Sequence, residues 1–135
     1  MKILKTIFLL WLMMGYITGF ADQPGSDETN KQITNAIAAG NATVISTYFN
    51  SMIDLGISGN EDSYSKAQAT RILQDFFSKN PVKTYKVTRQ GTSNDGSLFS
   101  IGTMDAGSKN FRVYYLLKKV EGRYLIQQLQ IQAEK

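Results

Sequence analysis

Between Tyr64 and Pro81 the chain spells one complete helix, with apolar residues Ala69, Ile72, Leu73, Phe76 and Phe77 falling on a single stripe. Ser65 is placed to cap its first turn, and Gln68, three residues on, to reach back in a capping box. Tyr64 can staple over Ala69, Arg71 and Asp75 stand four apart on the polar side, and Asn80-Pro81 stops the helix. The stripe predicts that Phe76 and Phe77 are buried packing residues rather than a ligand motif. Upstream, Ile33, Ala36 and Ile37 mark an earlier helix that stops at Gly40, with Asn41 as a new N-cap. Val44, Ile45, Tyr48, Phe49, Met52 and Ile53 then continue a helical period, so a second helix is expected over 41–53.

After that the period changes from helical to alternating. Ile53, Leu55 and Ile57 suggest a short strand, and the polar run from Gly59 to Ser63 a loop. Four longer strands are expected at 82–91, 97–105, 111–120 and 123–133. Turn signals separate them: Ser93-Asn94-Asp95-Gly96, then Ala106 to Asn110, then Glu121-Gly122. Helices first and an antiparallel meander last is an α+β order. The sheet needs a cover, and the capped helix and the 41–53 helix are available to provide it.

The N-terminus changes the picture of where the protein works. Lys2 and Lys5 precede an apolar run of roughly 14 residues, and Gly19-Phe20-Ala21 ends it, the three-part pattern of a secretory signal peptide. Lys5, Gly15 and Thr18 interrupt the run, which argues against an uncleaved span. The expected organisation is a signal peptide over 1–21, a flexible lead-in over 22–29 and a single α+β domain over 30–135. The expected location is periplasmic or secreted, with no membrane attachment after cleavage.

Composition excludes more than it assigns. The chain of 135 residues has no cysteine, hence no disulfide framework and no lipid anchor on an N-terminal cysteine. Its formal net charge is +4, and two of its 15 cations fall in the leader. The remainder is close to balance and gives no electrostatic case for nucleic acid.

Four segments, YSKAQATRILQDFFSKN, SIGTM, FRVYYLLKK and LIQQLQIQ, carry a resemblance that spans roughly 33–132. The element order resembles the nuclear-transport-factor-2-like superfamily, a cystatin-like α+β cone. Together the segments look like a family of exported bacterial proteins classed as a domain of unknown function. The resemblance implies the cone fold with a curved four-stranded meander, an exported location and no assigned activity. It transfers no catalytic residue.

Enzymes of that superfamily place carboxylates or a histidine inside the cone to move protons. This chain has no histidine, and its four long predicted strands contain no Asp or Glu except Asp105, which sits at a turn where the second of them ends. Asp54 is the one acid that could face the cavity mouth, and a chain-bending cap is the plainer role for it. Serines are plentiful, but there is no histidine or cysteine and no lysine at a recognisable Ser-Lys spacing. QGTSNDG lacks the spacing of a phosphate cradle, and Glu61-Asp62 is ordinary loop solvation rather than a weak calcium site. No catalytic residue, metal or cofactor is therefore expected.

Alternation puts Arg89 on one strand face with Tyr85 and Val87, where it would anchor an anionic ligand or snorkel to water. Arg112 and Tyr114 share a face of a two-sided apolar strand that would suit a dimer. With Tyr48 these make the candidate ligand-binding set: Tyr48, Tyr85, Arg89, Arg112 and Tyr114. Lys83, Lys86, Lys118 and Lys119 read as a solvated exterior. The leading reading is a non-catalytic binding module for a small ligand, a peptide or an envelope protein. Two others stay open: an assembly protein that pairs through its sheet as a homodimer, and a pocket enzyme using Tyr and Arg side chains.

Overall fold

The computed structural model describes residues 25–135; the expected signal peptide and residues 22–24 lie outside them. The order is α1 (Ser26–Ala38), α2 (Ala42–Ser46), β1 (Phe49–Ile57), β2 (Asn60–Ser65), α3 (Lys66–Lys79), β3 (Val82–Thr92), β4 (Leu98–Ala106), β5 (Lys109–Val120) and β6 (Arg123–Ala133). The strands form one curved sheet in the order β2-β1-β6-β5-β4-β3. Every neighbouring pair is antiparallel except β1 and β6, which run parallel.

The sheet has six strands, not four. The expected 41–53 helix is only α2; from Phe49 the chain is already strand, and Asn60–Ser65, read as loop, pairs with it. The helical stripe misled because two of its members, Val44 and Met52, are 39% and 54% exposed. The strand alternation Ile53 and Leu55 is what points inward, with Phe49 also buried ahead of it. Aromatic and β-branched residues crowd this segment and pack better on a pleated surface than on a helix. At the other end, Ser26 to Thr29, read as part of a lead-in, form the first turn of α1, where Thr29 is buried.

Where the sequence carries explicit caps, the structure follows them. Gly40, at φ 62°, donates its N–H to Ile37, and Asn41 donates to Ala36, a Schellman ending for α1. The Asn41 side chain then accepts from Val44 N at 3.1 Å and starts α2. Ser65 and Gln68 form the reciprocal capping box of α3. The surface pair differs: Asp75 meets Lys79 at 2.9 Å, one turn onward, rather than Arg71.

The helices close over the concave face of the sheet. Ile33, Ala36 and Ile37 of α1 and Ala69, Leu73, Phe76 and Phe77 of α3 share one core with Val113, Tyr115 and Leu117 of β5 and Ile126, Leu129 and Ile131 of β6. Phe76 meets the Phe111 ring edge-on, centroids 5.1 Å apart at 82°. Such burial contributes about 1.5–3 kcal/mol per large apolar side chain. The two phenylalanines of the capped helix thus serve the core that holds the sheet's curvature.

Candidate functional site

Strand β4 carries large apolar residues on both faces. Its inward positions are Leu98, Ser100, Gly102, Met104 and Ala106, the last four buried, while Phe99 and Ile101 point outward and stay half-buried. The small inner residues leave room for two tyrosines. The Tyr85 ring lies so close over Gly102 that a Cβ there would come within 2.5 Å of its hydroxyl. Tyr115, fully buried on β5, is the cross-strand partner of Ser100.

These residues make a polar cluster inside the cone. Tyr115 Oη donates to Asn30 Oδ1 on α1 at 2.8 Å. Ser100 lies near both phenols, yet Tyr85 Oη and Ser100 Oγ are buried with no hydrogen-bond partner among the described residues. Burial pushes the Tyr85 phenol well above its ordinary value, and the neighbouring Tyr115 adds to the rise. Burial raises Tyr115 as well, partly offset by the Ser100 and Thr34 hydroxyls. Both phenols hold their protons across the physiological range.

The five residues singled out from sequence do not converge. Tyr85 alone enters this cluster. Tyr48 is half-buried, and its hydroxyl donates to Gln32 on the outer side of α1. Arg89 does not share a face with Tyr85, because the β3–β4 register shifts between Val87 and Arg89. Tyr85 and Val87 pair with inward Met104 and Gly102, whereas Arg89 pairs with outward Ile101. The bulge carries the guanidinium to the outer face and removes it from the cone. Tyr114 pairs with the same Ile101, and Arg112 with Thr103, so three of the five stand together on the convex surface.

That outer face has a consistent layout. One row runs Arg89, Ile101, Tyr114 and Gln130, and the next Gly91, Phe99, Leu116 and Gln128. Lys86 and Arg112 flank the apolar block on one side through Thr103, and Lys118 extends β5 beyond it. Toward β1 and β2 the face becomes polar. Glu61 accepts from Gln128 and Gln130 at 3.3 and 3.2 Å, and Asp54 accepts from Ser63. Asp54 is therefore an exposed outer residue and not a base at the cavity mouth.

Sequence reasoning missed Ser100, Tyr115, Asn30 and Thr34. The signal was present in β4, where Ser100 and Gly102 alternate with Phe99 and Ile101, but large apolar residues on both sides, Leu98 and Met104 against Phe99 and Ile101, left the inner face unmarked.

The surface depressions among the described residues include the following three. One of about 260 Å³ lies between α1 and β3, lined by Asp27, Asn30, Lys31, Thr34, Asn35 and Gln90. Another, of about 450 Å³, lies where Gly40 and Asn41 meet Phe77 and Ser78. The third, of about 280 Å³, is apolar and lies between Leu55, Ile57, Tyr64 and Ile72.

Comparisons with known proteins agree with the architecture. Residues 30–132 match the family model described as Domain of unknown function (DUF4783). A crystal structure of a DUF4783 family protein from Bacteroides ovatus is 36% identical, with a TM-score of 0.73 over 77% of this chain and 94% of that one. The corresponding protein from Bacteroides uniformis is 30% identical, with a TM-score of 0.74 over 78% and 96%. A protein of unknown function from Shewanella baltica, described as nuclear-transport-factor-2-like, is 14% identical with a TM-score of 0.60 over 81% and 90%, a likeness of fold alone. No curated protein matches the chain. With helices laid over a curved sheet and a family match across nearly all the described residues, the chain belongs to the DUF4783 family and has the nuclear-transport-factor-2-like, cystatin-like fold.

Proposed function

We propose that this protein is an exported, non-catalytic binding module that takes an acidic, amphipathic protein segment on the outer face of its sheet. The observation that carries the reading is the outward placement of Phe99 and Ile101 on β4 beside Tyr114 and Leu116, a contiguous half-buried apolar block. A contiguous apolar patch rimmed by polar residues marks an interaction surface. Lys86, Arg89, Arg112 and Lys118 surround that block, so the complementary partner presents apolar side chains among carboxylates. Of the face's own acids, Asp105 lies at the end of β4 beyond Thr103, and Asp54 and Glu61 lie apart from the block and are engaged by Ser63, Gln128 and Gln130.

The inner face supports a role without catalysis. Its positions on β3 to β6 carry no carboxylate, and the whole chain has no histidine or cysteine to serve as base or nucleophile. Export rests on the N-terminal lysines, the apolar run and the small residues at Gly19 and Ala21. No helix among the described residues is long and apolar enough to cross a membrane.

A titration with a synthetic peptide alternating Glu with Phe and Leu, followed by amide NMR, tests the surface. Saturable shifts centred on Ile101, Tyr114 and Leu116, and weakened by salt, are expected. Absence of shifts there, or occupation of the same residues by a second copy in a concentration-dependent dimer, would overturn the choice of partner.

A further inference from the structure

We infer that the depression between α1 and β3 is a binding subsite for a small, neutral, polyhydroxylated molecule of the sugar or polyol class. This site is separate from the outer sheet face and does not depend on it.

The chemistry of the lining selects the ligand. Asn30, Asn35 and Gln90 offer carboxamides and Thr34 a hydroxyl, groups that both donate and accept hydrogen bonds. The charges at the site are Asp27 and Lys31, of opposite sign and one turn apart on α1, so neither an anion nor a cation is favoured over a neutral molecule. The volume, about 260 Å³, lies just below the usual range of drug-sized sites and suits a molecule of monosaccharide scale.

The polar cluster in the core next to the lining is a second, independent observation. Tyr115 Oη donates to Asn30 Oδ1 at 2.8 Å, which fixes that carboxamide through its oxygen. Ser100, with no exposure, and Tyr85 lie near Tyr115 with hydroxyls that meet no partner among the described residues. Gln90, at the rim, is the cross-strand partner of Ser100, so the rim and this cluster belong to one patch of the concave face. A core built only for packing places apolar atoms at such positions, because a buried hydroxyl without a partner is destabilising. Here serine and tyrosine hydroxyls are retained in the core beside Tyr115, which reaches the lining through Asn30.

The test is an amide-NMR titration of the purified protein with glucose and, separately, with glycerol; gluconate serves as a charged probe of similar size. Expected are saturable, millimolar shifts at Asn30, Thr34 and Gln90 that extend to Ser100, with gluconate weaker than glucose. Thr34→Val keeps the side-chain shape and is expected to weaken glucose about tenfold, as is Asn30→Ala. Thr34→Val also keeps the Tyr115–Asn30 bond, so it remains informative if Asn30→Ala fails to fold. Three results would overturn the inference: no saturable shift at these residues with either neutral probe, equal affinity in Thr34→Val, or tighter binding of gluconate. The first of these would leave internal water as the partner of the orphaned hydroxyls.

Discussion

At the scale of single residues, the contact between Tyr85 and Gly102 organises the interior. Gly102→Ala puts a methyl group about where the Tyr85 ring and hydroxyl now lie, and the ring must move within a packed core. The expected cost is about 1–3 kcal/mol in denaturant unfolding. Tyr85→Phe acts in the opposite direction, because it removes a buried hydroxyl that has no partner. It is expected to leave neutral-pH stability unchanged or to raise it by about 1 kcal/mol.

The same residue sets an alkaline limit. Its folded phenol titrates above the unfolded one, so above pH about 10 the unfolded chain releases a proton that the folded chain retains. Stability is therefore complete below that pH and declines as pH rises beyond it. Urea midpoints measured from pH 8 to 11 should show the decline in the wild type and a shallower one in Tyr85→Phe. Tyr115, raised in the same direction, adds to the decline that Tyr85→Phe leaves.

Arg89 shows where reading by residue type stops. Alternation from Tyr85 through Val87 places it inside, and nothing local in Val87-Thr88-Arg89 announces a bulge. The extra residue is set by the pairing with β4, where the Thr88 hydroxyl donates to the Ile101 carbonyl at 3.2 Å. A bulge reverses the face of every residue after it.

At the scale of elements, the helices were legible where side chains satisfy backbone groups. The α3 capping box is formed by Ser65 and Gln68 within a four-residue window, so sequence alone locates it. Ser65→Ala is expected to destabilise the fold by about 1 kcal/mol in chemical denaturation. Removal of Arg71, which is not the partner of Asp75, should have little effect. The four C-terminal strands were legible from their alternation and turns; Glu121 and Gly122 both adopt positive φ, as a tight two-residue hairpin requires. Of the β1–β2 hairpin only the second half of β1 was legible, as the alternation of Ile53, Leu55 and Ile57. Its outer strand, Asn60–Ser65, is polar and mostly exposed, and the start of β1 is recruited by parallel pairing with β6, more than 70 residues away. Long-range pairing leaves little local trace in sequence.

At the scale of the whole molecule, the sheet divides its labour between two faces. The concave face holds the helices and a neutral hydroxyl cluster; the convex face carries an apolar block flanked by cations on β3 and β5, with Asp105 at the end of β4, and a polar zone toward β1 and β2. The family and the cone were readable from the C-terminal strands and the capped helix, which make up most of the core. The division of the candidate residues between the faces was not, because it depends on the β3 bulge and on β4 turning its small residues inward.

The central claim, that the convex face is the partner surface and Arg89 belongs to it, is tested most directly by one affinity comparison. A fluorescein-labelled peptide alternating Glu with Phe and Leu would be titrated by anisotropy into the wild type and into Arg89→Glu, with Tyr85→Phe as the concave-face control. The account predicts saturable binding to the wild type, the same affinity in Tyr85→Phe, and a loss of about tenfold in Arg89→Glu. Equal affinity in the wild type and Arg89→Glu, or a loss confined to Tyr85→Phe, would contradict it.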